Sequence, residues 1–267
     1  MNRAFALLSK DLADLRQNPA VFLPALLTAF FSIVLPFFVA IVVPYFSGER
    51  LSDSSDFEIA VEMYRQQPDT RGLDPEGAIQ AWLFQQFLVL LVLAPVAGSM
   101  SVAAYSVIGE KQARTLEPLL ATPITTFELL AGKVLGALVP ALMLTAGCFV
   151  LYAAGVAVFA RPGVFLTLLT ARSLAVMFVL GPLAALAALQ LAVCVSSRVN
   201  DVRSAQQLGA LVILPVAALL VAQIAGALLL TLPVIALIAV VLLAVNAGLM
   251  LTAIALFDRE SILTRWK

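Results

Sequence analysis

The residues of this chain that could do chemistry lie mostly in one short charged stretch between two long apolar runs. Residues 109–133 hold side chains of both signs, namely Glu110, Lys111, Arg114, Glu117, Glu128 and Lys133. A short charged segment held between two membrane spans suits contact with a partner protein. The alternative is that these charges only keep an ordinary loop in solvent.

Catalytic centres have little support in the sequence. There is no histidine, and Cys148 and Cys194 both lie inside apolar runs, so zinc, redox and His-assisted nucleophilic sites are poorly supported. Gly132-Lys133 lacks the preceding glycine that a phosphate-binding loop needs. We therefore expect no enzyme activity and no cofactor bound by this chain. The net charge of zero gives no support for nucleic-acid binding.

Composition predicts a membrane protein. Of the 267 residues, 62% are hydrophobic and 12% charged, and the mean hydropathy is +1.04. Apolar runs long enough to cross a hydrocarbon core of about 30 Å alternate with short polar stretches. The runs fall at roughly 21–46, 82–108, 134–160, 174–195, 207–229 and 234–257. The sequence therefore predicts an all-α polytopic membrane protein of six transmembrane helices, forming a single transmembrane domain over residues 1–267.

Charge predicts the orientation of these spans. With both termini in the cytoplasm, 11 of the 16 Lys and Arg residues fall on the cytoplasmic side, as the positive-inside rule favours. Residues 1–19 are predicted to form an amphipathic interfacial helix. Residues 47–81 are predicted to form an acidic extracytoplasmic loop. We expect a short re-entrant or interfacial helix over 163–172, with Arg172 at the outer interface. The expected location is the cell inner membrane.

Local signals predict a short helix within residues 109–133. Thr115 can cap it, and Glu117 and Pro118 suit its first turn. Thr122 precedes Pro123 and is disfavoured in the helical region, so the helix ends there. Thr125 and Glu128 then form a capping box that begins the third span. A short helix at the cytoplasmic surface is the expected result.

This stretch resembles the signature of ABC-2-type transporter permeases. The similarity covers Glu110-Lys-x-x-Arg-Thr-Leu-Glu-x-Leu-Leu-x-Thr-Pro and the following Glu128-Leu-Leu-Ala-Gly-Lys133. Arg114 stands where the family usually has glycine. A second stretch, 196–209, is similar to the family's second cytoplasmic turn. Transferred by position in the motif, the residues that couple to an ATPase are Glu110, Lys111, Arg114, Thr115, Leu116, Glu117, Leu120 and Pro123.

The resemblance implies a permease subunit of an exporter, working by alternating access. It implies two permease copies, in a homodimer, with two cytoplasmic ABC ATPase subunits that bind ATP and Mg, all surrounded by membrane lipids. Two alternatives from other classes stay open. One is a secondary transporter or channel that works without an ATPase, and the other is a membrane scaffold that transports nothing.

Three polar residues within the predicted spans are candidates for lining a pathway: Gln190, Gln223 and Asn246. The alternative is that they hydrogen-bond neighbouring helices, an effect worth about 0.6 kcal/mol on average. The spans lack a clear mid-membrane charge, which favours apolar, amphipathic or lipid-like cargo. The sequence does not identify the substrate.

Overall fold

The structure is a computed structural model of the whole chain. It describes the segments 23–48, 50–53, 72–112, 126–196, 210–225 and 228–256, together with residues 199, 204, 207 and 208. The predicted interfacial helix over 1–19 lies outside the described residues. So do most of the acidic loop and residues 113–125 of the charged stretch.

The described residues are almost entirely helical and include no strand. Ten α-helices follow one another along the described chain: α1 (Leu23–Phe37), α2 (Val43–Ser47), α3 (Pro75–Leu91), α4 (Leu93–Gln112), α5 (Thr126–Phe159), α6 (Val164–Leu168), α7 (Ala171–Ala175), α8 (Gly181–Ser196), α9 (Ile213–Ile224) and α10 (Leu232–Leu256). Short turns of 3₁₀-helix occupy Leu51–Asp53 and Ala210–Val212.

Five stretches of these helices are long and apolar enough to cross a membrane. They are Ala25–Ser47, Pro75–Ser106, Leu130–Phe159, Ala171–Ser196 and Leu232–Leu256. Each overlaps a predicted apolar run, so the protein is an all-α, multi-pass membrane protein, as the sequence predicted. The remaining run, 207–229, holds only the 12-residue helix α9 among its described residues. The count of six spans stays a prediction.

Two π-helical turns interrupt the spans, and each lies just before a proline. Phe38–Val42 joins α1 to α2, and Val176–Leu180 joins α7 to α8. Proline has no N–H, and its ring crowds the carbonyl four residues earlier. For Pro44 and Pro182 that carbonyl lies inside the π turn. The residue before each proline donates its N–H five residues back instead, so the wider turn accommodates the proline without breaking the span.

The helices differ in how deeply they lie in the bundle. Of an 18-residue apolar stretch in Pro75–Ser106, 89% is buried inside the protein, against 11% of such a stretch in Leu232–Leu256. Helix α4 packs against α1, α5 and α8, and α10 packs on the other side of α8. Ser99 of α4 donates to the carbonyl of Ala185 of α8 at 3.0 Å, with both helices running in the same direction. The centre of the protein is therefore the pair α4–α8, and α10 presents most of its apolar surface outward.

An aromatic cluster fixes α1 against α3 and α5. The ring of Phe37 contacts the rings of Phe84, Tyr152 and Phe159 at centroid distances of 5.1–6.5 Å. The Tyr152 hydroxyl donates to the carbonyl of Phe84 at 2.8 Å. Gly155 faces the tip of the Phe37 ring, where a Cβ atom would come within 2.6 Å of Cζ. Glycine is required there because the two helices approach so closely.

Candidate functional site

The predicted coupling stretch begins and ends on two helices that pack together. Helix α4 runs through Glu110 and Lys111 to Gln112, and α5 begins at Thr126. The other six predicted coupling residues, Arg114, Thr115, Leu116, Glu117, Leu120 and Pro123, lie outside the described residues. The structure therefore does not test the coupling role of these residues.

A buried lysine links the two helices close to this stretch. Lys133 Nζ of α5 donates to Ser106 Oγ of α4 at 3.0 Å, and Lys133 is only 3% exposed. The orientation predicted from charge puts Lys133 at the cytoplasmic end of α5, and the structure buries its side chain between α4 and α5. A buried ammonium group is stable only when its hydrogen bonds are made within the protein. The link therefore joins α4 and α5 near the ends from which residues 113–125 extend.

Two of the three candidate pathway residues lie on the α8 and α10 side of the bundle. Asn246 Nδ2 of α10 donates to the carbonyls of Leu183 at 3.1 Å and Leu242 at 2.8 Å. Gln190 falls between Leu183 and Cys194 on the face of α8 that bonds to α10. Asn246 therefore makes a hydrogen bond to a neighbouring helix, which was the alternative to its lining a pathway. Within the described part of the chain, Asn246 Oδ1 and Gln190 Oε1 are buried without hydrogen-bond partners.

The third candidate, Gln223 of α9, belongs to a different group of polar residues. It is 4% exposed and lines a small pocket of about 30 Å³ together with Gln85, Gln86, Arg172 and Ser173. The Arg172 guanidinium of α7 donates to Gln85 Oε1, and Gln85 Nε2 donates to the Thr167 carbonyl at 2.7 Å. We call this group the polar pocket. It brings together residues of α3, α7 and α9 that lie far apart in the sequence.

An apolar cavity of about 530 Å³ adjoins the polar pocket. It lies between α3, α8, α9 and α10, and its lining includes Val92, Ala184, Ala218 and Leu242. Three residues line both spaces: Val176, Leu228 and Leu230. Small-molecule sites in proteins are mostly apolar spaces of roughly 300–1,000 Å³ with a few convergent polar groups. The two spaces together have that character.

The sequence predicts Gln223 as a candidate but not the group of polar residues around it. Arg172 was expected at an interface, and it lies half-buried in the first turn of the span Ala171–Ser196. Gln85 and Gln86 were visible as adjacent amides within an apolar run. Nothing in the sequence indicated that they meet Arg172, because the contact joins residues 87 positions apart. In the described segments, no group of three or more His, Cys, Asp or Glu side chains could hold a metal ion.

The bridge through Gln85 gives a stability prediction. We expect Gln85→Leu to lower the free energy of unfolding by roughly 2 kcal/mol, because one charge-assisted and one neutral hydrogen bond are lost. The leucine keeps the apolar volume of the stem, so packing changes little. Unfolding in mixed micelles of increasing denaturing-detergent fraction measures the difference.

The adjacent glutamine provides the control for this prediction. Gln86→Leu removes an amide from the same pocket, but the structure describes no bond from Gln86 to Arg172 or to Thr167. We expect a loss of at most about 0.6 kcal/mol for this variant. Equal losses of stability for both variants would show that the Gln85 bridge contributes no more than the Gln86 amide does.

Comparisons with known proteins add no identification. No protein-family model matches the chain, and no curated protein matches it.

Proposed function

We propose that this chain is the membrane permease subunit of an ABC-2-type exporter. In this proposal a separate ATPase subunit hydrolyses ATP, and the permease moves its substrate across the membrane by alternating access. The resemblance of residues 110–133 to the family signature is the starting point. The 267 residues contain no phosphate-binding loop, which supports an ATPase site outside this sequence.

The observation that best supports the proposal is the Lys133–Ser106 link. It ties α4 to α5 close to the stretch that would contact the ATPase, at 3.0 Å between Nζ and Oγ. Because both helices are held together there, a displacement of residues 113–125 would move them as a pair rather than bend one of them. Helix α4 packs in turn on α1 and α8, so such a movement would reach the centre of the bundle.

The proposed assembly has two permease copies, two ATPase subunits and a surrounding layer of membrane lipid. Both termini and residues 109–133 face the cytoplasm in this arrangement, and the chain crosses the inner membrane six times. The distribution of Lys and Arg supports this orientation. The outward apolar surfaces of α1, α5 and α10 suit lipid or a second copy of the chain, because such surfaces are unfavourable in water.

Purification of the full-length chain from its own cells tests the proposal. We expect a cytosolic ATPase to co-purify in a one-to-one ratio. After reconstitution in vesicles, ATP-dependent transport should be inhibited by vanadate. Absence of any ATPase would favour a secondary transporter or channel, and an ATPase complex that moves nothing would favour a scaffold. Either result would contradict the proposal.

A further inference from the structure

The polar pocket and the apolar cavity share walls, and together they form one amphipathic space that opens on the surface of the bundle. Val176, Leu228 and Leu230 line both parts, so a single molecule can occupy them together. The larger part is lined by aliphatic side chains from four helices. The smaller part contains three amide side chains, the Ser173 hydroxyl and the Arg172 guanidinium. Ligands that match such a space have one long apolar end and one small polar end.

The positive charge in the polar pocket favours a ligand whose polar end is negatively charged. Arginine stays protonated in proteins, and Arg172 is the one charged residue that lines either space within the described part of the chain. A guanidinium presents its N–H groups in a fork that fits a carboxylate, and its attraction for an anion strengthens where water is scarce. Gln85 already holds the guanidinium in place. The pocket is therefore arranged to receive a small anion.

The sizes of the two parts restrict the ligand further. The polar pocket, at about 30 Å³, has room for only about two water molecules. That volume suits a carboxylate better than a glycerophosphate headgroup. The apolar cavity, at about 530 Å³, lies in the range of drug-sized ligands. A single acyl chain fits this description.

We propose that the space formed by the polar pocket and the apolar cavity binds a single-chain fatty carboxylate. Its carboxylate lies at Arg172, with Gln223 and Gln86 beside it, and its acyl chain lies between α8, α9 and α10. Burial of the chain supplies the affinity, and the guanidinium supplies the preference for an anion. Binding does not depend on an ATPase. Only the further step, that such a molecule is cargo, rests on the proposed function.

Photolabelling of the full-length protein in nanodiscs of neutral phosphatidylcholine tests this inference. The probes are palmitate with a diazirine in its chain and the alcohol with the same chain and diazirine. We expect the palmitate probe to label peptides from Ile213–Ile224 and Leu232–Leu256 saturably, and unlabelled palmitate to compete. The alcohol should label at least roughly tenfold more weakly, because it cannot pair with the guanidinium. This comparison needs no variant protein.

Two pairs of variants test the two parts of the space. Arg172→Gln should remove the preference for palmitate over the alcohol, and Arg50→Gln, which changes an exposed arginine outside the space, should keep it. Ala218→Trp places a large ring on the wall of the apolar cavity and should reduce labelling by both probes at least roughly tenfold. Ala236→Trp, at an exposed position of α10 that does not line the cavity, is its control.

Several results would overturn the inference. Equal labelling of the wild-type protein by acid and alcohol would show that charge plays no part. Labelled peptides outside α9 and α10, or full labelling of Ala218→Trp, would show that the cavity is not the site. Displacement of palmitate by phosphatidylglycerol in the nanodisc would assign the space to a two-chain membrane lipid. Failure of ATPase co-purification would leave the binding result untouched.

Discussion

Reversal of the charge at Glu117 is expected to disrupt the complex with the ATPase. In the proposed complex Glu117 lies in the first turn of the short coupling helix, a position outside the described residues. An acidic residue there would face a basic group of the partner, and Glu117→Lys would set two like charges against each other. Such a change at an interface costs about 2–5 kcal/mol, which corresponds to an affinity roughly 30-fold lower or worse. Titration of the purified ATPase onto nanodiscs containing the variant measures the dissociation constant.

A matched charge reversal far from the motif controls for this result. Glu58→Lys makes the same chemical change in the predicted extracytoplasmic loop. It should leave ATPase binding and ATP-dependent transport at wild-type levels. Should Glu117→Lys bind the ATPase as tightly as Glu58→Lys does, residues 109–123 are not the coupling segment.

Substitution of Gly155 by leucine is expected to destabilise the bundle strongly. A Cβ atom at this position would lie 2.6 Å from Phe37 Cζ and 3.2 Å from Cε1. The Phe37 ring cannot retreat easily, because Phe84, Tyr152 and Phe159 surround it. Overpacking of this kind costs about 1–3 kcal/mol, and we expect the upper end. The midpoint of detergent unfolding should fall accordingly.

Gly147 provides a control on the same helix. It is exposed, and a Cβ atom added there meets nothing within 4 Å. Gly147→Leu should leave stability unchanged or raise it slightly, since leucine is the better helix former by about 0.8 kcal/mol. The double variant Gly155→Leu with Phe37→Ala should recover part of the loss, because the clash is removed. Equal unfolding midpoints for Gly155→Leu and Gly147→Leu would contradict the close approach of α1 and α5.

The membrane-crossing helices were predictable from sequence because the bilayer imposes a simple requirement. An uninterrupted helix of apolar residues satisfies every backbone hydrogen bond without water, so long apolar runs mark the spans. The run predicted at 234–257 corresponds to α10 at Leu232–Leu256, and that at 134–160 to the apolar stretch Leu130–Phe159. The 12-residue length of α9 was not predictable, because composition does not show where a helix in an apolar run ends.

The candidate site was not predictable, because it depends on contacts between distant parts of the chain. Gln223 was selected as a pathway residue from its type alone, and its neighbours Gln85 and Arg172 come from other helices. The distribution of Lys and Arg places Lys133 on the cytoplasmic side, but it does not show what its side chain contacts. The structure supplies Ser106 from the adjacent helix as a partner. Contacts of this kind cannot be inferred from hydropathy or from counts of charged residues.

The π turn before Pro182 is equivalent to one extra residue inserted into a continuous helix. Each residue of an α-helix advances by about 100°, so this insertion rotates everything before it relative to everything after it by that angle. Arg172 lies on one side of the insertion and Gln190 on the other. A helical wheel drawn straight through Ala171–Ser196 would therefore assign the wrong face to one of them. Arg172, before the insertion, bonds to Gln85 of α3, whereas Cys194, after it, bonds to the Leu249 carbonyl of α10.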